Sequence, residues 1–175
     1  GVDVKHFSEC SFERGSLRKS MGYKPEDTVV CICANLRREK KHEDAVEAIK
    51  SLKCEGYNIK LLIIGDGVER ERIESLIESY ALRRDVHITG LVSDVRPYIA
   101  CADVSILTSE SETFSMAALE SMAMGKPLIL SNTGGANEMV IEGVHGYLYK
   151  PGDINLLVTY IKKMIDENLI SQMSN

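Results

Sequence analysis

Residues 109–127, SESETFSMAALESMAMGKP, set two carboxylates, Glu112 and Glu120, on either side of seven mostly small or apolar residues. If Thr113 caps a helix that starts at Phe114, the free N–H groups of residues 113 to 116 point outward as donors for an anion, with Glu112 just ahead of them. Glu120 then lies about two turns further on, roughly 10–12 Å along the axis at 1.5 Å per residue. That is too wide for a shared acid/base task on one bond and suits contacts at two ends of an elongated ligand. In an arbitrary helix the same two side chains would be solvated, with Glu112 merely complementing the helix dipole.

A second candidate lies upstream in ANLRREKKHED (34–44), where Arg37, Arg38, Lys40, Lys41 and His42 crowd ahead of a helical pattern. Cations at a helix start are unfavourable unless an anion joins them, so this run is either a phosphate clamp or a solvated basic turn. Other loops carry glycines. GDGVERER has Gly65 and Gly67 but neither a third glycine nor a P-loop lysine, so it reads as a tight turn. Gly90 in TGLVSD lets backbone approach a flat ligand, although a plain turn explains it equally. Gly134 and Gly135 in SNTGGANE allow close approach to a ligand or to a neighbouring helix.

These loops need elements to hold them, and the pattern supplies strands alternating with helices. Apolar runs at 28–36, 59–67, 85–90, 103–109, 126–132 and 145–150 read as six strands. Helical spacing marks 42–56, 68–82, 93–102 (capped by Ser93 or Asp94), the stretch from Phe114, 135–143, and 153–169 capped by Asp153. The alternation predicts an α/β, doubly wound, Rossmann-like parallel six-stranded sheet with helices on both faces. Ligands of such sheets sit beyond the carboxyl ends of the strands, where these loops lie. Residues 1–27 read as a linker segment and lead-in with at most one short helix, and 28–175 as the binding domain.

Composition narrows the partner. A net charge of −5 leaves no basic footprint for nucleic acid. No apolar run is long enough to span a membrane. The five cysteines, Cys10, Cys31, Cys33, Cys54 and Cys101, are odd in number and form no C-x-x-C, which reads as reduced thiols in a cytoplasmic protein. The four histidines do not pair at ligand spacing, so no metal site is expected.

Taken in order, NLRREKKH, LLIIGDG, VHITGLVSDV, ADVSILTSESETFSMAALESMAMGKPLILSNTGGANEMV and GVHGYLYKPGD resemble the C-terminal, donor-binding domain of the group 1 (family 4) retaining glycosyltransferases. Those enzymes have the two-domain GT-B fold, of which this chain would be one half. The resemblance covers nearly the whole chain and is densest from Asp103 to Asp153; GVDVKHF resembles the segment joining the two domains. It casts Glu112 and Lys40 as the catalytic residues, Glu112 on the donor sugar's hydroxyls and Lys40 on the diphosphate. Donor binding falls to Glu120 on the ribose, to Gly90, Leu91 and Val92 at the base, and to Thr113, Phe114, Ser115 and Met116 near the diphosphate or sugar.

Two departures stand out. The family's first-loop arginine aligns with Asn35, which passes its charge to Arg37 or Arg38. Thr113 and Ser115 replace the glycines flanking Phe114 and would narrow the sugar pocket. The resemblance implies transfer from a UDP-, GDP- or ADP-sugar without metal or other cofactor. No covalent nucleophile is expected, and the leaving phosphate guides same-face attack. The acceptor, a sugar or lipid-linked group, would be held by an N-terminal domain absent from this sequence, which would also govern any membrane association. The fragment alone is then expected to bind donor weakly and to transfer nothing. The alternatives are a GT-B relative such as a nucleotide-sugar 2-epimerase, and a non-catalytic α/β interaction domain.

Overall fold

The computed structural model describes residues 3–8 and 13–174. Six strands form one parallel sheet: β1 (Thr28–Cys33), β2 (Ile59–Ile64), β3 (Val86–Ile88), β4 (Val104–Leu107), β5 (Leu128–Ser131) and β6 (Gly146–Tyr149). Their order across the sheet is β3-β2-β1-β4-β5-β6. The chain therefore works outward from β1 in one direction, then returns to β4 and works outward in the other. The reversal opens a crevice between the carboxyl ends of β1 and β4, which pair through Val30↔Val104 and Cys31↔Ser105.

Both faces of the sheet are covered, because strand residues alternate in direction. Val30 and Ile32 of β1 join the larger core, together with Ala45, Ile49 and Leu52 of α3 (His42–Cys54) and Leu157 and Ile161 of α8 (Ile154–Asp166). Val29 and Cys31 face the opposite side, against Ile99 and Cys101 of α5 (Arg96–Cys101) and Leu17 of α2 (Arg14–Ser20). The remaining helices are α1 (Val4–Ser8), α4 (Arg70–Ser79), α6 (Met116–Ala123), α7 (Ala136–Met139) and α9 (Leu169–Met173).

The lead-in holds two short helices, where the sequence suggested at most one, and the second is built into the domain. Arg18 is buried, donating from Nη1 to the Cys101 carbonyl at 3.1 Å and to Asp103 Oδ2 at 3.2 Å, and from Nη2 to the Asp27 carbonyl at 2.5 Å. Asp103 Oδ2 also accepts the Val29 N–H at 2.7 Å. A buried guanidinium satisfied in this way ties residues 14–27 to the end of α5 and the start of β1.

Helix ends differ from the sequence reading where local chemistry intervenes. Asp153 does cap α8, accepting the Leu156 N–H at 3.0 Å. The run predicted as 153–169 stops at Asp166, because Asn168 adopts φ 52° and redirects the chain into α9. Asp94 accepts the Arg96 N–H, so α5 begins later than its pattern suggests. Cys31, Cys33, Cys54 and Cys101 are free thiols, and Cys10 lies outside the described residues. Among the described residues no helix is long and apolar enough to cross a membrane.

Candidate functional site

Lys40 and Glu112 meet over the β1/β4 crevice. Lys40 closes a 3-10 turn, Arg38–Lys40, after β1, and Glu112 lies on the loop between β4 and α6. The ammonium and the Glu112 carboxylate form a short ion pair, and Glu112 Oε1 also accepts from Ser109 Oγ at 3.2 Å. Backbone-directed bonds lock the two loops together: Thr108 Oγ1 donates to the Lys40 carbonyl at 2.7 Å and the Glu110 N–H to the Glu39 carbonyl at 2.9 Å. Ser131 Oγ, at the end of β5, donates to the Ser109 carbonyl at 2.7 Å. Ser109, Thr108 and Ser131 were missed in the sequence, where small hydroxyl residues at strand ends read as ordinary turn formers.

The rest of the basic cluster disperses. Lys41, at φ 51°, turns to Glu110 (3.4 Å) and Glu43 (3.9 Å). Arg38 lines a cleft with Lys41, Glu43, Glu69 and Arg72 that Glu112 does not line, and Arg37 is exposed. His42, counted among the basic groups in the sequence, is buried at the start of α3. Desolvation lowers its pKa to about 4, so at neutral pH it is an uncharged packing residue.

The second correction concerns the helix that carries Glu120. Its N-cap is Ser115, not Thr113: Ser115 has ψ 110° and its Oγ accepts the Ala118 N–H at 3.2 Å, so α6 starts at Met116. Thr113 is engaged elsewhere, its carbonyl accepting the Gly135 N–H at 3.0 Å. Only the last part of the path from Glu112 to Glu120 is therefore helical, and the sequence-based axial spacing does not describe the whole of it. Ser115 turns its hydroxyl into the helix cap, whereas Thr113 is exposed.

Glu120 occupies a different environment from Glu112. It is half-buried beside Cys33 at the end of β1 and has no side-chain partner among the described residues. Desolvation raises its pKa above the ordinary carboxylate value. The same proximity, after desolvation and Cys31, helps push the Cys33 thiol up to about 12. A carboxylate set in this way has acceptor capacity to spare for neutral hydroxyl donors.

The glycine loops prove to be joints between loops. A Cβ at Gly65 would stand 2.3 Å from the Ala34 carbonyl oxygen, and one at Gly67 2.4 Å from that of Leu36, so GDG is a close-packing device against the β1 loop. Gly134 has φ +52°, and a Cβ there would stand 2.1 Å from the Glu112 carbonyl oxygen. At Gly135 it would stand 2.7 Å from the Phe114 ring. The TGG turn thus fixes the loop that carries Glu112. Gly90 has φ +74°, Leu91 beside it is 83% exposed, and Val92 packs into the smaller core. Phe114 and Met116 are each 45% exposed.

A larger groove lies elsewhere. About 590 Å³ opens along β3 and α4, lined by Glu71, Glu74, Glu78, Arg83 and His87 among others. Three carboxylates make it unsuited to an anion.

The chain matches the family model for glycosyl transferases group 1 over residues 13–175. It belongs to that family. It is 30% identical over 154 residues to the putative glycosyltransferase EpsD of Bacillus subtilis, covering 87% of this chain and 40% of that protein. It is 33% identical over 137 residues to the N-acetyl-alpha-D-glucosaminyl L-malate synthase of Bacillus anthracis, covering 78% of this chain and 36% of that protein. Its fold superimposes on Anabaena HepE, solved in complex with UDP-glucose, with a TM-score of 0.88 at 25% identity, over 99% of this chain and 49% of that one. The chain thus spans less than half the length of these relatives, and its architecture is one half of a GT-B glycosyltransferase.

Proposed function

We propose that this chain is the donor-binding half of a retaining glycosyltransferase and that the nucleotide sugar lies across the β1/β4 crevice. The observation that carries the reading is the convergence of Lys40, Glu112 and the start of α6 at the sheet's switch point. A diphosphate placed beside the Lys40–Glu112 pair would meet the Lys40 ammonium and the N-terminal dipole of α6. Glu112 reaches the sugar hydroxyls, Glu120 the ribose diol, and backbone at Gly90, Leu91 and Val92 the base. UDP-glucose in the HepE structure agrees in ligand class with this assignment.

In the transfer step the bond between the anomeric carbon and the phosphate oxygen breaks, and the acceptor oxygen bonds to that carbon on the same face. The acceptor's proton passes to the leaving phosphate oxygen. Lys40, the N–H groups near Phe114 to Met116 and the α6 dipole stabilise the charge that grows on the diphosphate, so no metal is needed. Thr113, exposed beside this site, narrows the space for the sugar. Lys40 keeps the role of the family lysine, and Arg38, in its separate cleft, is poorly placed to supply the charge of the family arginine that Asn35 replaces. The acceptor is held by the part of the enzyme beyond this chain, and the isolated domain binds donor without turning it over.

The test is isothermal titration of the 175-residue chain with UDP, GDP and ADP. Saturation by one of them, lost in Lys40→Ala, is expected. Failure of all three to bind at millimolar concentration, with the fold intact, would overturn the assignment.

A further inference from the structure

We infer that the Lys40–Glu112 pair is an internal clasp that ejects the spent nucleotide: in the empty domain Glu112 holds the position on Lys40 that the donor's diphosphate must take. The inference rests on the donor-site reading above and adds to it a reason for the domain to prefer donor over product.

The geometry restricts what can move. The Lys40 backbone is pinned through its carbonyl by Thr108, and the neighbouring backbone is bridged from Glu110 to Glu39. Behind the other partner, Gly134 packs against the Glu112 carbonyl. Only the ends of the two side chains are free to part. These side chains are 21% and 18% exposed, which leaves the pair partly buried yet within reach of an entering ligand. Ser109 Oγ already donates to Glu112, so a released carboxylate keeps one donor.

Charge then separates two ligands. A diphosphate carries more negative charge than a carboxylate and displaces Glu112 from the ammonium. With a bare nucleoside diphosphate, Glu112 is left facing a phosphate with no cation of its own, an unfavourable pairing of like charges. With a nucleotide sugar, the sugar's hydroxyls donate to the released carboxylate and replace what it lost. After transfer the sugar is gone, Glu112 again competes for Lys40, and the diphosphate is driven off.

The experiment compares wild type, Glu112→Gln and Lys40→Ala by titration with UDP and UDP-glucose, GDP and GDP-mannose, and ADP and ADP-glucose, carrying forward the pair that saturates. Removing the competing charge should tighten binding of the bare diphosphate about fivefold, the equivalent of about 1 kcal/mol for a partly exposed pair. The wild-type preference for the sugar nucleotide should shrink in the same variant. If Glu112→Gln binds the bare diphosphate no more tightly than wild type, the clasp is wrong. Should Glu112→Gln not fold, Glu112→Ala serves: it too removes the competing charge and should tighten bare diphosphate about fivefold. Unchanged or weaker binding there would also overturn the clasp. A folded wild type that binds none of the six ligands refutes the donor site itself, a different result from saturable, Lys40-dependent binding that Glu112→Gln weakens.

Discussion

Glu112 and Glu120 come from one stretch of sequence and end in opposite environments. Glu112 is tied to a cation and a hydroxyl on a loop braced from three sides, by Thr108 and Ser131 through backbone and by the TGG turn. Glu120 stands half-buried beside a thiol, with a raised pKa and no cation. The first is a charge already balanced within the protein, the second an acceptor with nothing yet to accept. On the proposed donor reading, the two ends of the crevice would recognise different chemistry: charge at the diphosphate and sugar end, neutral hydroxyls at the other.

The largest effect is expected at the brace of the Glu112 loop. Gly134→Ala puts a side chain at φ +52° and 2.1 Å from the Glu112 carbonyl, so the loop must shift. A stability loss of about 2–3 kcal/mol is expected, with nucleotide binding largely lost, measured by thermal melting and titration on the same sample. Retained stability and affinity would mean that the TGG turn does not hold the loop.

Next in size is the open end. Glu120→Ala should cost about tenfold or more in nucleotide affinity, the scale of losing charge-assisted hydrogen bonds of about 1.5–3 kcal/mol, while leaving the melting temperature near wild type. The loss should be equal for diphosphate and sugar nucleotide, in contrast to Glu112. Because the Glu120 pKa is raised, wild-type affinity should fall on acidification at a pH above the ordinary carboxylate range, and Glu120→Gln should remove that step.

A pH-dependent effect separates the basic loop from the helix behind it. His42 has a folded pKa of about 4 against 6.5 for the free side chain, so the unfolded chain takes up the proton first and stability falls as pH drops from 6.5 towards 4. The full effect is about 3 kcal/mol at roughly 1.4 kcal/mol per pKa unit. Asp44, raised to about 6 by desolvation and then by Glu43, acts the other way: its folded form binds the proton more readily, so stability is gained between pH 6 and 4. Asp44→Asn should therefore steepen acid denaturation and His42→Gln should flatten it, read as melting temperature against pH. Identical profiles for wild type and both variants would contradict the assignment.

Much of this was legible in the residues. The six strands declare themselves through apolar runs ending in turn residues, and their alternation with helices fixes a parallel sheet. Glu112 and the basic loop that holds Lys40 were candidates from their residue types, the family resemblance singled out Lys40, and the reversal of strand order between β1 and β4 explains why they converge. What escaped depends on tertiary placement. Thr113 and Ser115 are both competent caps, and the choice is made by Gly135, which engages the Thr113 carbonyl from another loop. His42 loses its charge because α3 turns it into the core. The roles of Thr108, Ser109 and Ser131 exist only across strand ends that are distant in sequence.

Nucleotide should lie over the β1/β4 crevice and not in the larger groove beside β3. Amide chemical-shift mapping of the 175-residue chain, titrated with whichever of UDP, GDP or ADP binds, tests it directly. The largest shifts are expected at Lys40, Gly90 to Val92, Phe114 to Met116 and Glu120, with Glu74 and His87 unmoved. Shifts concentrated at Glu74, Glu78 and His87, with Lys40 and Phe114 to Met116 silent, would contradict it.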